Sequence, residues 1–103
     1  MSSKSEIRFN FRKALYQAEQ LDNLADRADK LAKDQMETSI QALASAWKGE
    51  NATAFLKKEE QLKGEVSQSA TEIRSIAAEI RSIARTVYLA EMAALRIARK
   101  RRS

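Results

Sequence analysis

The sequence predicts an all-α fold, an antiparallel hairpin of two long helices that dimerises into a four-helix bundle. Three observations carry that expectation. The 103 residues include no proline and only two glycines, so the turns that a sandwich or barrel needs about every ten residues have nothing to form from. Apolar residues recur at alternating steps of three and four along most of the chain, the period of a coiled-coil seam. One short stretch near the middle joins a glycine to a helix-capping residue, and it is the one place where the chain can reverse. This length has room for a single domain, residues 1–103.

The first helix is expected over about residues 6–46. Its stripe runs Ile7, Phe11, Ala14, Ala18, Leu21, Ala25, Ala28, Ala32, Gln35, Ser39, Leu43 and Ala46, widened by Leu15, Leu24, Leu31, Met36, Ile40 and Trp47. Charges of both signs, among them Glu19, Asp22, Asp26, Lys30 and Asp34, fill the other face and mark it as solvated. Ser3 or Ser5 is placed to cap the helix start, and Glu6 suits its positive end.

The turn is expected at residues 47–50. Gly49 supplies the left-handed conformation that ends a helix, and Asn51 is a good N-cap for the next. The second helix follows over about 51–98, with a stripe of Phe55, Glu59, Leu62, Val66, Ser69, Ile73, Ile76, Ile80, Ile83, Val87, Ala90, Ala94 and Ile97. Two consecutive heptads, Ile73-Arg-Ser-Ile-Ala-Ala-Glu and Ile80-Arg-Ser-Ile-Ala-Arg-Thr, repeat within it. Gly64 falls inside this helix and costs about 1 kcal/mol relative to alanine, with a close contact or a slight bend as its reason. The arms are then about 60–75 Å long at ~1.5 Å per residue.

The predicted seam comprises Ile40, Leu43, Phe55, Leu62, Val66, Ile73, Ile76, Ile80, Ile83 and Val87. Two helices bury only the strip where they touch, which would leave Ile40, Met36, Ala77, Ala84 and Leu95 in water. A partner hairpin, a second copy or a similar chain, is expected to cover them.

Chemistry is limited by what is missing. The chain has no cysteine and no histidine, which removes thiolate nucleophiles, zinc–thiolate sites, the commonest general base and the commonest metal ligand. Its carboxylates are spread singly over solvated helix faces, so no nucleophile–base pair can be assembled. The expectation is a protein without catalytic residues, cofactor or metal. The opening Met1-Ser2-Ser3-Lys4-Ser5-Glu6 is polar and no apolar run of seven follows it, so no cleavable secretory leader is expected. No stretch approaches the ~20 apolar residues of a spanning helix.

The formal charge of +5 and the pI near 9.7 invite a nucleic-acid reading. Along the sequence the excess lies at the end. Residues 1–46 and 47–95 each hold seven bases and seven acids, and the tail adds Arg96, Arg99, Lys100, Arg101 and Arg102. Residues 99–103 read as a basic tail with no side chain suited to base readout, so sequence-specific nucleic-acid binding is not expected. A frayed, solubilising end, a docking element for a machine or anionic membrane, and non-specific phosphate binding remain as its roles.

A chain of about 100 residues with Trp47-x-Gly49 at its single turn, preceded by Leu43-Ala-Ser-Ala46 and followed by Ala52 and Ala54-Phe55, resembles the WXG100 (ESAT-6-like) family. The resemblance covers essentially the whole chain. It implies a substrate of the type VII (ESX-like) secretion system, exported as a folded dimer without signal-peptide cleavage and recognised by a membrane-bound secretion ATPase. It also implies a C-terminal export signal, often Tyr-x-x-x-Asp/Glu. Here Tyr88 meets an acid three positions on, at Glu91, and Met92 fills the four-position slot. A looser pattern is met by Val87, Glu91, Ala94 and Ala98. The alternatives are an accessory partner of a larger secreted toxin, binding its N-terminal helical region, and a basic helical nucleic-acid-binding module.

Overall fold

A computed structural model describes residues 3–102. Met1 and Ser2 of the polar start and Ser103 of the basic tail lie outside the described residues. The chain is all-helical, and no strand occurs among the described residues. Helix α1 spans Lys4–Lys30, a π-helical turn spans Leu31–Met36, α2 spans Glu37–Ala46 and α3 spans Glu50–Arg102. Compactness divides the chain into two units, Asp22–Arg74 and the pair Met1–Leu21 with Ser75–Ser103. The first is called here the turn unit and the second the terminal unit.

Local chemistry fixes the helix ends. The Ser3 hydroxyl accepts the Glu6 backbone N–H at 3.2 Å, which makes Ser3 rather than Ser5 the cap of α1. Helix α2 closes at Trp47, whose extended backbone (φ −107°, ψ 137°) still donates its N–H to the Leu43 carbonyl at 2.8 Å. Gly49 then takes φ +110°, a conformation that strains any side chain. Its carbonyl accepts from both the backbone N–H and the hydroxyl of Thr53, each at 3.0 Å. Asn51, expected as the cap, lies inside the first turn of α3, because the helix begins at Glu50 and Gly49 holds the position before it, its carbonyl accepting the first intrahelical bond.

The other end of α3 also departs from expectation. Arg99 to Arg102 are helical, so these residues extend α3 instead of forming a separate tail. No helix breaker precedes them, and cations in the last turn complement the negative end of the helix dipole.

In the turn unit the core is lined by alanine. Ala25, Ala32 and Ala70 are completely buried, and Ile40 and Ala52 nearly so. A side chain as small as alanine disappears from solvent only when another segment lies directly over it, so close helix approach is the organising feature. The π-helical turn has a clear reason. A stripe continued at steps of three and four from Ala32 would point Gln35 and Ser39 inward. The extra residue in the π turn advances the phase by one, leaving Gln35 and Ser39 exposed, half-burying Met36 and burying Ile40.

In the terminal unit Ile7, Ala18 and Ala77 are buried, and Phe11 stacks on Tyr88 with ring centroids 4.6 Å apart and planes 29° apart. Gly64, in the turn unit, is exposed, and nothing lies within 4 Å of where its Cβ would sit. A close approach therefore does not explain this glycine.

Candidate functional site

Two places gather the residues singled out by sequence. The first is the reversal of the turn unit. The extended backbone at Trp47 and the left-handed Gly49 bring the indole beside the Phe55 ring, with centroids 5.7 Å apart and planes at 50°. Both rings remain in contact with solvent, Trp47 at 52% exposure and Phe55 at 44%. A tryptophan that only closed the end of a core would be covered. This pair instead forms an aromatic knob on the surface.

The same unit carries three ion pairs between residues distant in sequence. Lys63 Nζ donates to Glu37 Oε2 at 2.6 Å and lies 3.9 Å from Glu60, while Gln41 Nε2 donates to the other Glu37 oxygen at 3.2 Å. The Lys63 hydrogen bond, then that of Gln41, holds the Glu37 carboxyl below the ordinary carboxylate range. The hydrogen bond to Glu37 reciprocally raises Lys63. Arg74 forks between Asp26 at 2.8 Å and Asp29 at 2.6 Å, which raises its already high pKa. These pairs join residues 26 to 48 positions apart. No sequence signal marked them.

The second place is a groove in the terminal unit, about 290 Å³ in volume, where Ile7, Asn10, Phe11 and Ala14 of α1 face Ile80, Ile83, Ala84, Val87, Tyr88 and Glu91 of α3. Three members of the expected export signal, Val87, Tyr88 and Glu91, therefore share one wall. Tyr88 and Glu91 are half-buried, and Tyr88 is committed to the Phe11 stack. Ala94 is exposed, and Ala98 lies half-buried beside Leu95 and Arg99 near Ser3 and Lys4.

The expected seam divides. Ile40 is buried, and Leu43, Val66, Ile73 and Ile80 are half-buried. Phe55, Leu62, Ile76, Ile83 and Val87 are 44–63% exposed. The inward edge of α3 is set instead by Ala52, Ala70, Ala77 and Ala84, with Leu95 half-buried further along. The expectation that Ile40, Met36, Ala77, Ala84 and Leu95 would be stranded in water is thus reversed. The side chains left outside are the larger Phe55, Leu62, Ile76, Ile83 and Val87. Alanine takes the inner edge because two alanine-lined helices approach more closely than two isoleucine-lined ones.

Comparison with family profiles, curated proteins and solved structures finds no match to this chain. Its functional reading therefore rests on its own residues. No helix among the described residues is long and apolar enough to cross a membrane. No group of three or more histidine, cysteine, aspartate or glutamate side chains able to hold a metal occurs among them.

Proposed function

We propose that the chain is a small, non-catalytic helical-hairpin protein, exported as a folded dimer by a type VII (ESX-like) secretion system and recognised by its secretion ATPase. The observation that carries this reading is the aromatic knob. Trp47 at a left-handed glycine turn, packed on Phe55 yet half exposed, has the form of a recognition surface rather than of a core plug.

Dimerisation is part of the proposal. Ile76, Ile83 and Ile97 of the terminal unit and Phe55 and Leu62 of the turn unit leave large apolar side chains in water, which a partner hairpin in a four-helix bundle would cover. A homodimer in small-angle scattering at micromolar concentration is the expected outcome. Solubility only with a co-expressed toxin segment would favour the accessory-partner reading.

The export test compares culture supernatants of a Gram-positive host with and without its secretion ATPase, with lysis controls. The wild type is expected outside only when the ATPase is present. Trp47→Ala and Glu91→Ala are expected to stay inside with helix content unchanged. Equal release without the ATPase rejects the route, and full export of both variants rejects the signal.

A further inference from the structure

The groove of the terminal unit orients both of its helices. At about 100° of rotation per residue, the α1 side bearing Asn10 and Ala14 and the α3 side bearing Ile83 and Val87 meet along the groove. The opposite sides must then also share a face. On α1 that face carries Arg8 and Arg12, with half-buried Leu15 between them and the core. On α3 it carries Arg85 and Arg96, the 57%-exposed Leu89 and half-buried Met92, with Arg81 and Arg99 in the same row. Glu19 is the one acid in register with it. The terminal unit holds eleven bases against four acids, so this face lies in the strongly basic part of the chain.

We infer that this arginine face is a docking surface for an anionic phospholipid bilayer. Charge complementarity supplies the first argument, since guanidinium groups take phosphate oxygens two at a time. The apolar side chains supply the second. Leu89 sits exposed among the arginines, where it would enter the acyl boundary while the guanidiniums stay at phosphate depth, and half-buried Met92 and Leu15 continue the apolar strip beneath it. A sugar–phosphate backbone offers such side chains nothing. No asparagine or glutamine lies on this face to read bases. The surface belongs to this chain whatever route carries it, so the inference does not depend on the export reading.

The test uses the full chain and sedimentation with vesicles of phosphatidylcholine alone or mixed with phosphatidylglycerol, at about 0.15 M salt. Binding is expected to the mixed vesicles only and to weaken as salt rises. The variant Arg8→Gln, Arg12→Gln, Arg85→Gln, Arg96→Gln should bind at least about a hundredfold more weakly, from a several-fold loss per charge. A charge-matched variant of the turn unit, Lys30→Gln, Lys48→Gln, Lys57→Gln, Lys58→Gln, should bind within about threefold of wild type if the face rather than net charge is responsible. Leu89→Ser should weaken vesicle binding and leave any duplex-DNA binding unchanged. Circular dichroism checks that each variant keeps its helices. Absence of binding to the mixed vesicles, equal losses in the two charge variants, insensitivity to Leu89→Ser, or displacement of the chain from vesicles by duplex DNA at equal phosphate each overturns the inference.

Discussion

The two units of this chain are built from the same kind of helix and differ in nearly every surface property. The turn unit holds eight bases and ten acids, and its segments are tied by Arg74 to Asp26 and Asp29 and by Lys63 to Glu37. The terminal unit holds eleven bases and four acids, and an aromatic stack and an apolar groove mark its interior. Counting charge along the sequence concealed this difference. Lys4, Arg8, Arg12 and Lys13 are balanced by acids in their own segment, yet they fold into the same unit as the C-terminal bases. The lesson is that charge asymmetry belongs to the folded units, and segment-by-segment neutrality says little about it.

The largest expected effect comes from overfilling the alanine-lined core of the turn unit. Ala70→Leu would drive an isobutyl group into a completely buried position, and a loss of about 1–3 kcal/mol is expected in urea unfolding. Hydrogen exchange sharpens the contrast between units. Protection lost in residues 22–74 alone would show that the units open separately, whereas equal loss throughout would show one cooperative structure. Next is the terminal unit. Tyr88→Leu keeps an apolar side chain in the groove but removes the stack on Phe11, and a loss of about 1 kcal/mol is expected. An unchanged unfolding midpoint would mean that the stack contributes no more than area.

An opposite sign is expected at Gly64. The position is helical, exposed and open around the missing Cβ, so alanine meets no obstacle and restricts the unfolded chain. Gly64→Ala should stabilise by about 1 kcal/mol, which raises Tm by roughly 4–8 °C in a chain of this size. A lower Tm would show that the glycine has a role that local space does not reveal.

These sites also mark how far the sequence could be read. The helical class, the left-handed Gly49 between α2 and α3 and the alanines of α1 followed from residue type and period, because glycine geometry and a 3.5-residue stripe are local properties. The inward edge of α3 did not. Its large apolar residues Phe55, Leu62, Ile76 and Ile83 and its alanines Ala70, Ala77 and Ala84 both recur at sevens on the same helix. Periodicity reveals both stripes equally, and of the bulkier residues expected at the seam Val66, Ile73 and Ile80 are half-buried while Phe55, Leu62, Ile76, Ile83 and Val87 are exposed. The choice depends on how closely two helices can approach, which only the fold reports. The π turn was hidden for a related reason. A one-residue phase shift after Ala32 looks, in a three-and-four pattern, like a stripe that merely turns polar at Gln35 and Ser39. Trp47 was legible as a turn residue but not as an exposed one, since its exposure depends on how Phe55 packs beside it.

The smallest effect tests the ionic side of the contrast. Glu37 titrates below its ordinary 4.5 when folded, chiefly through the Lys63 hydrogen bond. The unfolded chain therefore binds more protons around that pH, and the pair's stabilisation is present above about 4.5 and lost as pH falls through the lower folded value. Lys63 titrates above its ordinary 10.5 for the reciprocal reason, so its contribution is complete below that value and fades as pH rises past it. Between those limits this pair should give no pH dependence. Both side chains are partly exposed, so the effect is modest and shrinks with salt. Glu37→Gln should remove part of the acid limb of urea stability measured from about pH 6 to pH 3 at low salt, and Tyr88→Leu in the terminal unit should leave that limb in place. If the acid limb of Glu37→Gln matches wild type, the pair has no differential effect on folding. The turn unit would then rest on its alanine packing and on the fork of Arg74 to Asp26 and Asp29.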